Sequence, residues 1–219
     1  AEAQLAQAPA DYAANWKLAR ALIDLGNKAP EGKEREALYA EAERRAREAV
    51  RLRPDDTWGH HYLAASVGKL ALSAGGKRKI ALSKEVRDEA EKAIELDPAN
   101  DKSLHILGRW NREIANLSPL LKLAAKVVYG GVPKGASNEQ AVAYFQRALA
   151  VNPDHVNHHL ELGLTYVEMR EDLLAKEQFA AALALAPRDP NDPEYQAEAQ
   201  RQLERAEKRL AAPRRDVTR

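Results

Sequence analysis

The 219-residue chain carries 34 basic and 33 acidic residues, a net charge of +1, and is 45% hydrophobic but only 5% aromatic. This charge balance gives no electrostatic case for nucleic acid, and no run approaches the ~18 apolar residues of a membrane span. Without cysteine there is no disulfide, thiolate nucleophile or cysteine-ligated zinc. Alanine and leucine supply 42 and 27 residues, against 11 Gly and 11 Pro, which predicts an all-α protein.

The opening, AEAQLAQAPADYAANW, lacks an initiator methionine and has little pattern. It reads as a flexible Ala/Gln-rich segment over residues 1–12. Such a start suits either a mature exported bacterial protein, periplasmic or extracellular, or a trimmed cytoplasmic chain. From residue 13 the sequence repeats. Four segments close in the same way: EAVRLRP at Pro54, EKAIELDP at Pro98, QRALAVNP at Pro153 and AALALAP at Pro187. Five residues before each proline stand Ala49, Ala93, Ala148 and Ala182. Eight before stand Ala46, Ala90, Phe145 and Phe179, and twelve before stand Ala42, Val86, Ala141 and Ala175. That spacing keeps them near one face of a helix, which the proline then stops.

In chain order, the first repeat opens with Trp16 and Ile23 and carries a polar insertion, GNKAPEGKERE. The second has Leu63, Ala64 and Val67 on its first helix and extra residues around LSAGGKRKIA, expected to lengthen the helices or their turn. The third has Leu107, Gly108 and Asn111, then an insertion over 117–136. Within it Ser118 and Pro119 start a helix whose apolar face is Leu117, Leu120, Leu121, Ala124, Val127 and Val128, expected to pack on its neighbours. A lid over a groove, or a docking site, is the alternative. The fourth repeat runs to Pro187, a polar capping helix follows over 193–212, and 213–219 reads as a disordered tail.

The last two prolines are 34 residues apart, and the segment between them resembles a tetratricopeptide repeat through Leu162, Gly163, Tyr166, Ala175, Phe179, Ala182 and Pro187. Ala64, Gly108 and Gly163 fall where that family needs a small residue for two helices to approach. The resemblance implies a right-handed superhelical solenoid of about four helix-turn-helix repeats over 13–212. A narrower likeness rests on LDPANDKSLHILGRW, VVYGGVPKGASNEQAVAYFQRAL and NHHLELGLTY, which are similar to the regulator of microtubule dynamics protein family. It implies a helical adaptor working through protein partners.

By the repeat family's register, the concave groove takes Lys17, Trp58, His61, Lys102, His105, Arg109, Arg112 and Asn157. Such a basic stripe beside a tryptophan would receive an acidic or carboxylate-ended peptide. The alternative is that Arg109 and Arg112 pair with acidic neighbours such as Glu113. Lys17 and Lys102 match two positions of the two-carboxylate clamp of chaperone-binding relatives, but Ala21, Tyr62 and Ile106 occupy the other three, which disfavours that ligand. Adjacent His60 and His61 diverge on a helix, and a metal site would need His61 to meet His105, so no metal or other cofactor is expected. GGKRK lacks the remainder of a phosphate loop. No G-x-S-x-G, H-E-x-x-H or G-x-G-x-x-G appears, so the chain reads as non-enzymatic. Three functions fit: a scaffold or adaptor for a protein or acidic peptide, a subunit of head-to-tail oligomers or filaments, or a carrier of an apolar ligand held under the inserted helix.

Overall fold

A computed structural model describes residues 11–129, 131 and 133–211. The expected tail at 213–219, and the first ten of the twelve residues expected to be flexible, lie outside them. Among the described residues all regular structure is helical. Helices α1 (Tyr12–Lys28) and α2 (Lys33–Leu52) form the first repeat, and α3 (Thr57–Ser73) and α4 (Gly76–Leu96) the second. The third pairs α5 (Asp101–Ala115) with α7 (Asn138–Val151), with α6 (Pro119–Tyr129) between them in sequence. Helices α8 (Val156–Glu168) and α9 (Asp172–Ala184) form the fourth, and α10 (Asp192–Ala211) caps it. Asp11 accepts the Ala14 amide at 3.0 Å and caps α1, which begins at Tyr12.

All twelve residues aligned on the four prolines are buried. They lie on the second helix of each repeat, facing the first. Where the second helix offers a phenylalanine, the first offers a glycine. A Cβ on Gly163 would stand 2.5 Å from Phe179 Cε1, and one on Gly108 2.7 Å from the Phe145 ring. The helix axes therefore approach as closely as the ring permits, and the ring fills the space a side chain would have taken. In the second repeat Ala64 and Ala90 meet with Leu107 in a smaller core.

Polar bonds tie the first helix of a repeat both to its own second helix and to the proline that closes the preceding repeat. His60 is held between Glu89 (2.6 Å) and the Pro54 carbonyl (2.9 Å), and His159 likewise between Gln178 (2.9 Å) and the Pro153 carbonyl (3.0 Å). These two histidines stand at the same register six residues after their prolines, so their role is structural. The extra residues of the second repeat extend α3 and α4, which are separated only by Ala74 and Gly75.

The inserted helix does not follow expectation. Leu120, Leu121, Leu123 and Val127 are exposed, the first and last at 75% and 77%. Ala125 is buried instead, and Lys122 donates to the Ala115 carbonyl at 2.7 Å. The expected packing of Leu120, Leu121 and Val127 on the solenoid is thus overturned, while the side chains of Ala124 and Val128 lie outside the description. Helical periodicity placed the leucines on a common face but could not supply a surface opposite them. At its base the insertion is closed by reciprocal amide bonds between Asn116 and Asn138 (2.8 and 3.2 Å), which join the ends of α5 and α7.

Candidate binding groove

The first helices α1, α3, α5 and α8 carry the expected groove residues. Near the start of the solenoid Trp16 stacks on Trp58 and on Tyr62, each with ring centroids 5.6 Å apart. Lys17 is exposed, with its ammonium 5.5 Å from the Trp16 ring centre. Trp58 is partly buried and packs against the first core. It therefore offers an edge rather than a free face.

His61 and His105 do not meet. His61 is buried, and its Nδ1 is 2.9 Å from Ser103 Oγ of the next repeat. His105 Nδ1 lies 2.9 Å from His158 Nδ1, again one repeat on. In α3 and α5 the same register position thus bonds to a position two residues earlier on the following first helix. Burial, reinforced by the charge of Lys102, pushes the His61 imidazolium down to about 3, and burial also holds His105 well below the usual histidine range. Burial raises the Asp101 carboxyl, but hydrogen bonds from His158 and Asn152 outweigh it and bring it to about 2.

Arg109 and Arg112 are committed to carboxylates. Arg112 Nη2 is 2.5 Å from Glu161 Oε2, and both side chains are largely buried. Arg109 lies 3.5 Å from Glu161 and 3.0 Å from Glu113. The basic stripe read from the sequence is therefore an Arg–Glu–Arg network, and Glu161 is the residue that reading missed. It occupies the sixth position of its helix, which holds Tyr62 and Ile106 in the preceding repeats. A carboxylate at an otherwise apolar position was its signal.

Charges of different repeats act on one another. Lys69 of α3, held down first by burial, feels Arg109 of α5, and Tyr195 of α10, raised by burial, feels Asp189, Arg109 and Glu161. Burial raises Asp24 of α1, which also feels Arg20, Asp189 and Lys102. The superhelix thus brings α1 within electrostatic reach of the segment before α10. Half-buried Asn157 adds a side-chain oxygen that is itself buried without a hydrogen-bond partner. Lys102 is half-buried in the first turn of α5, at the register position that Asn157 holds in α8.

The family model of regulator of microtubule dynamics protein 1-3 matches residues 2–207. This chain belongs to that family. Among its members, regulator of microtubule dynamics protein 1 of Bos taurus is 31% identical over 186 residues, covering 84% of this chain and 58% of the relative. The Caenorhabditis elegans protein of the same name is 28% identical, with 87% of this chain and 83% of the relative covered. The chain thus spans about three-fifths of the length of the mammalian protein 1 relatives and 38% of protein 3 of Bos taurus. Among solved structures, the thermophilic TPR protein TTC0263 of Thermus thermophilus superposes with a TM-score of 0.65 at 20% identity, over 91% of this chain and 86% of that one. YrrB, a TPR protein described as having an unusual peptide-binding site, gives 0.50 at 16% identity, over 94% and 89%. The family member described here is accordingly a tetratricopeptide-type solenoid, and among its described residues no helix is long and apolar enough to cross a membrane.

The histidine ladder predicts acid sensitivity. His61 is neutral in the folded chain down to about pH 3 but takes up its proton near 6.5 when unfolded. Between those values the unfolded state binds more protons, so stability falls as pH falls. At pH 5 His61 alone should cost about 2 kcal/mol relative to neutral pH. Urea unfolding at both pH values should show a smaller drop for His61→Gln. An equal drop would remove His61 from the account.

Proposed function

We propose that this chain is a non-enzymatic scaffold that holds an extended segment of a protein partner in its concave channel. The observation that carries this reading is the channel's own chemistry. Arg109 and Arg112 of α5 meet Glu161 of α8 there, with the unpartnered Asn157 oxygen on the helix of Glu161 and the ammonium of Lys102 on the helix of the arginines. An extended peptide offers backbone N–H groups to Asn157 and a side-chain or terminal carboxylate to Lys102 and Lys17. A purely acidic ligand is a poorer match than the sequence suggested, because Glu161 already occupies Arg109 and Arg112. The relatives are named for microtubule dynamics, and a role through a protein partner is what we carry over, without a particular polymer.

The other readings draw less support. A pocket of about 390 Å³ beside the insertion is lined by Lys122, Ser137, Asn138 and Glu139 along with Ile114 and Pro133, a polar rim ill suited to an apolar cargo. Head-to-tail assembly in which the Ala/Gln-rich segment docks on the next subunit would use residues 1–12, of which 1–10 lie outside the described residues.

Selection of random peptides against the purified protein tests the proposal. Selected binders should lose at least about tenfold in affinity when Asn157→Ala and Lys102→Ala are combined. They should be indifferent to Leu120→Ser on the exposed insertion. Binders unaffected by the double substitution would place recognition outside the channel.

A further inference from the structure

The ladder of polar bonds changes character where the third repeat meets the fourth. Two residues after Pro54 and Pro98, Asp56 and Asn100 cap their helices by accepting the amides of Trp58 (3.2 Å) and Ser103 (2.9 Å). The same position before α8 holds His155, which makes no capping bond. Its Nδ1 is buried without a hydrogen-bond partner, and its ring lies flat on His158, centroids 3.9 Å apart and planes within 10°. His158 is 1% exposed, with Nε2 at 3.0 Å from Asp101 Oδ2 and Nδ1 at 2.9 Å from His105. One ligand atom from each of Asp101, His155 and His158 lies within 4.8 Å of the other two.

We infer that Asp101, His155 and His158 bind one divalent transition-metal ion of the zinc class, with water in the fourth position. Two imidazoles and a carboxylate suit zinc, cobalt or nickel far better than magnesium or calcium. Neighbouring ligand atoms in a tetrahedral site with bonds near 2.0–2.1 Å stand about 3.3 Å apart. The 3.0 Å between His158 and Asp101 therefore needs little change once the ion replaces the proton they share. In the stack the lone pairs of the two rings run parallel, so His155 must rotate out of it to complete the set. His105 holds the outward nitrogen of His158, and Asn152 Nδ2 holds the Asp101 carboxylate at 3.0 Å, as outer partners of metal ligands do. Lys102 and the positive ends of α5 and α8 oppose a cation here. Micromolar binding, on the order of 1–10 µM, is the consequence. An ion so placed would fasten α5 of one repeat to α8 of the next.

Calorimetric titration of zinc into the tag-free chain, paralleled by cobalt absorption, tests the site. One ion per chain is expected, with an intense tetrahedral cobalt spectrum. His155→Ala and Asp101→Asn, each shown folded by circular dichroism, should weaken binding at least about tenfold. His159→Gln, outside the cluster, should leave it unchanged. Zinc should also raise the melting temperature of the parent chain but not of His155→Ala, a readout independent of the fitted stoichiometry. No saturation of the parent chain below about 100 µM zinc, or binding undiminished in His155→Ala, overturns the assignment.

Discussion

Gly163→Ala is expected to destabilise the protein by about 1–3 kcal/mol, although alanine favours a helix over glycine by about 1 kcal/mol. The reason is the ring opposite. The added methyl would meet Phe179 Cε1 at 2.5 Å and Cδ1 at 2.7 Å, and Phe179 is wholly buried, with nowhere to retreat. The helices must separate or the ring must leave its rotamer, and either loosens the packing of α8 on α9. Gly163→Leu should be worse. Urea denaturation measures this as a fall in midpoint, and the double substitution Gly163→Ala with Phe179→Leu identifies the cause. Phe179→Leu alone opens a cavity, but in the Gly163→Ala background it gives the methyl room, so the two costs should sum to more than the double variant shows. A Gly163→Ala chain at least as stable as the parent would show that the ring is not the limit on approach.

The same glycine explains why so much of this fold was legible in the sequence. Each second helix ends at a proline, which fixes a register, and the register then marks which alanines and phenylalanines face inward. All twelve such positions are buried, because a solenoid places each repeat in nearly the same environment as the last. The insertion has no such repetition. Its leucines keep helical spacing, yet periodicity says only which side chains share a face, and here Leu120, Leu121 and Val127 of that face stay exposed. The groove was half legible. Pairing of Arg109 with Glu113 was readable as an i,i+4 spacing on one helix, but the Glu161 carboxylate comes from the next repeat, beyond the reach of local spacing. Applying the register to Glu161 as well places a carboxylate beside Arg109 and Arg112 of the preceding repeat, about fifty residues away in sequence. His61 and His105 share a register position but do not meet, because bonds between repeats join unlike positions: His61 to Ser103, and His105 to His158.

Glu161→Ala should therefore have two opposite consequences. It leaves the largely buried Arg112 guanidinium without its carboxylate, an uncompensated charge that costs about 3–5 kcal/mol when the pair is fully enclosed. Arg112 keeps a hydrogen bond to the Glu161 main-chain carbonyl at 3.2 Å, and Arg109 keeps Glu113, so the lower end of that range is expected. The second consequence concerns binding. Removing the carboxylate releases two cations into the channel beside Lys69, whose ammonium already feels Arg109. The variant channel becomes the basic stripe that the parent only resembles in sequence. An acidic peptide that binds the parent weakly should bind folded Glu161→Ala at least about tenfold tighter, with a steeper loss of affinity as salt is raised. Glu161→Gln separates the two effects, since the amide restores volume and one hydrogen-bond acceptor without the charge. It should recover part of the stability and retain the gain in acidic binding. If acidic peptides bind both variants no better than the parent, the channel is not where a partner's carboxylates reach Arg109 and Arg112. A stability loss alone would then leave Glu161 as a strut between the third and fourth repeats, and the binding surface would have to be sought among Lys17, Lys102 and Asn157.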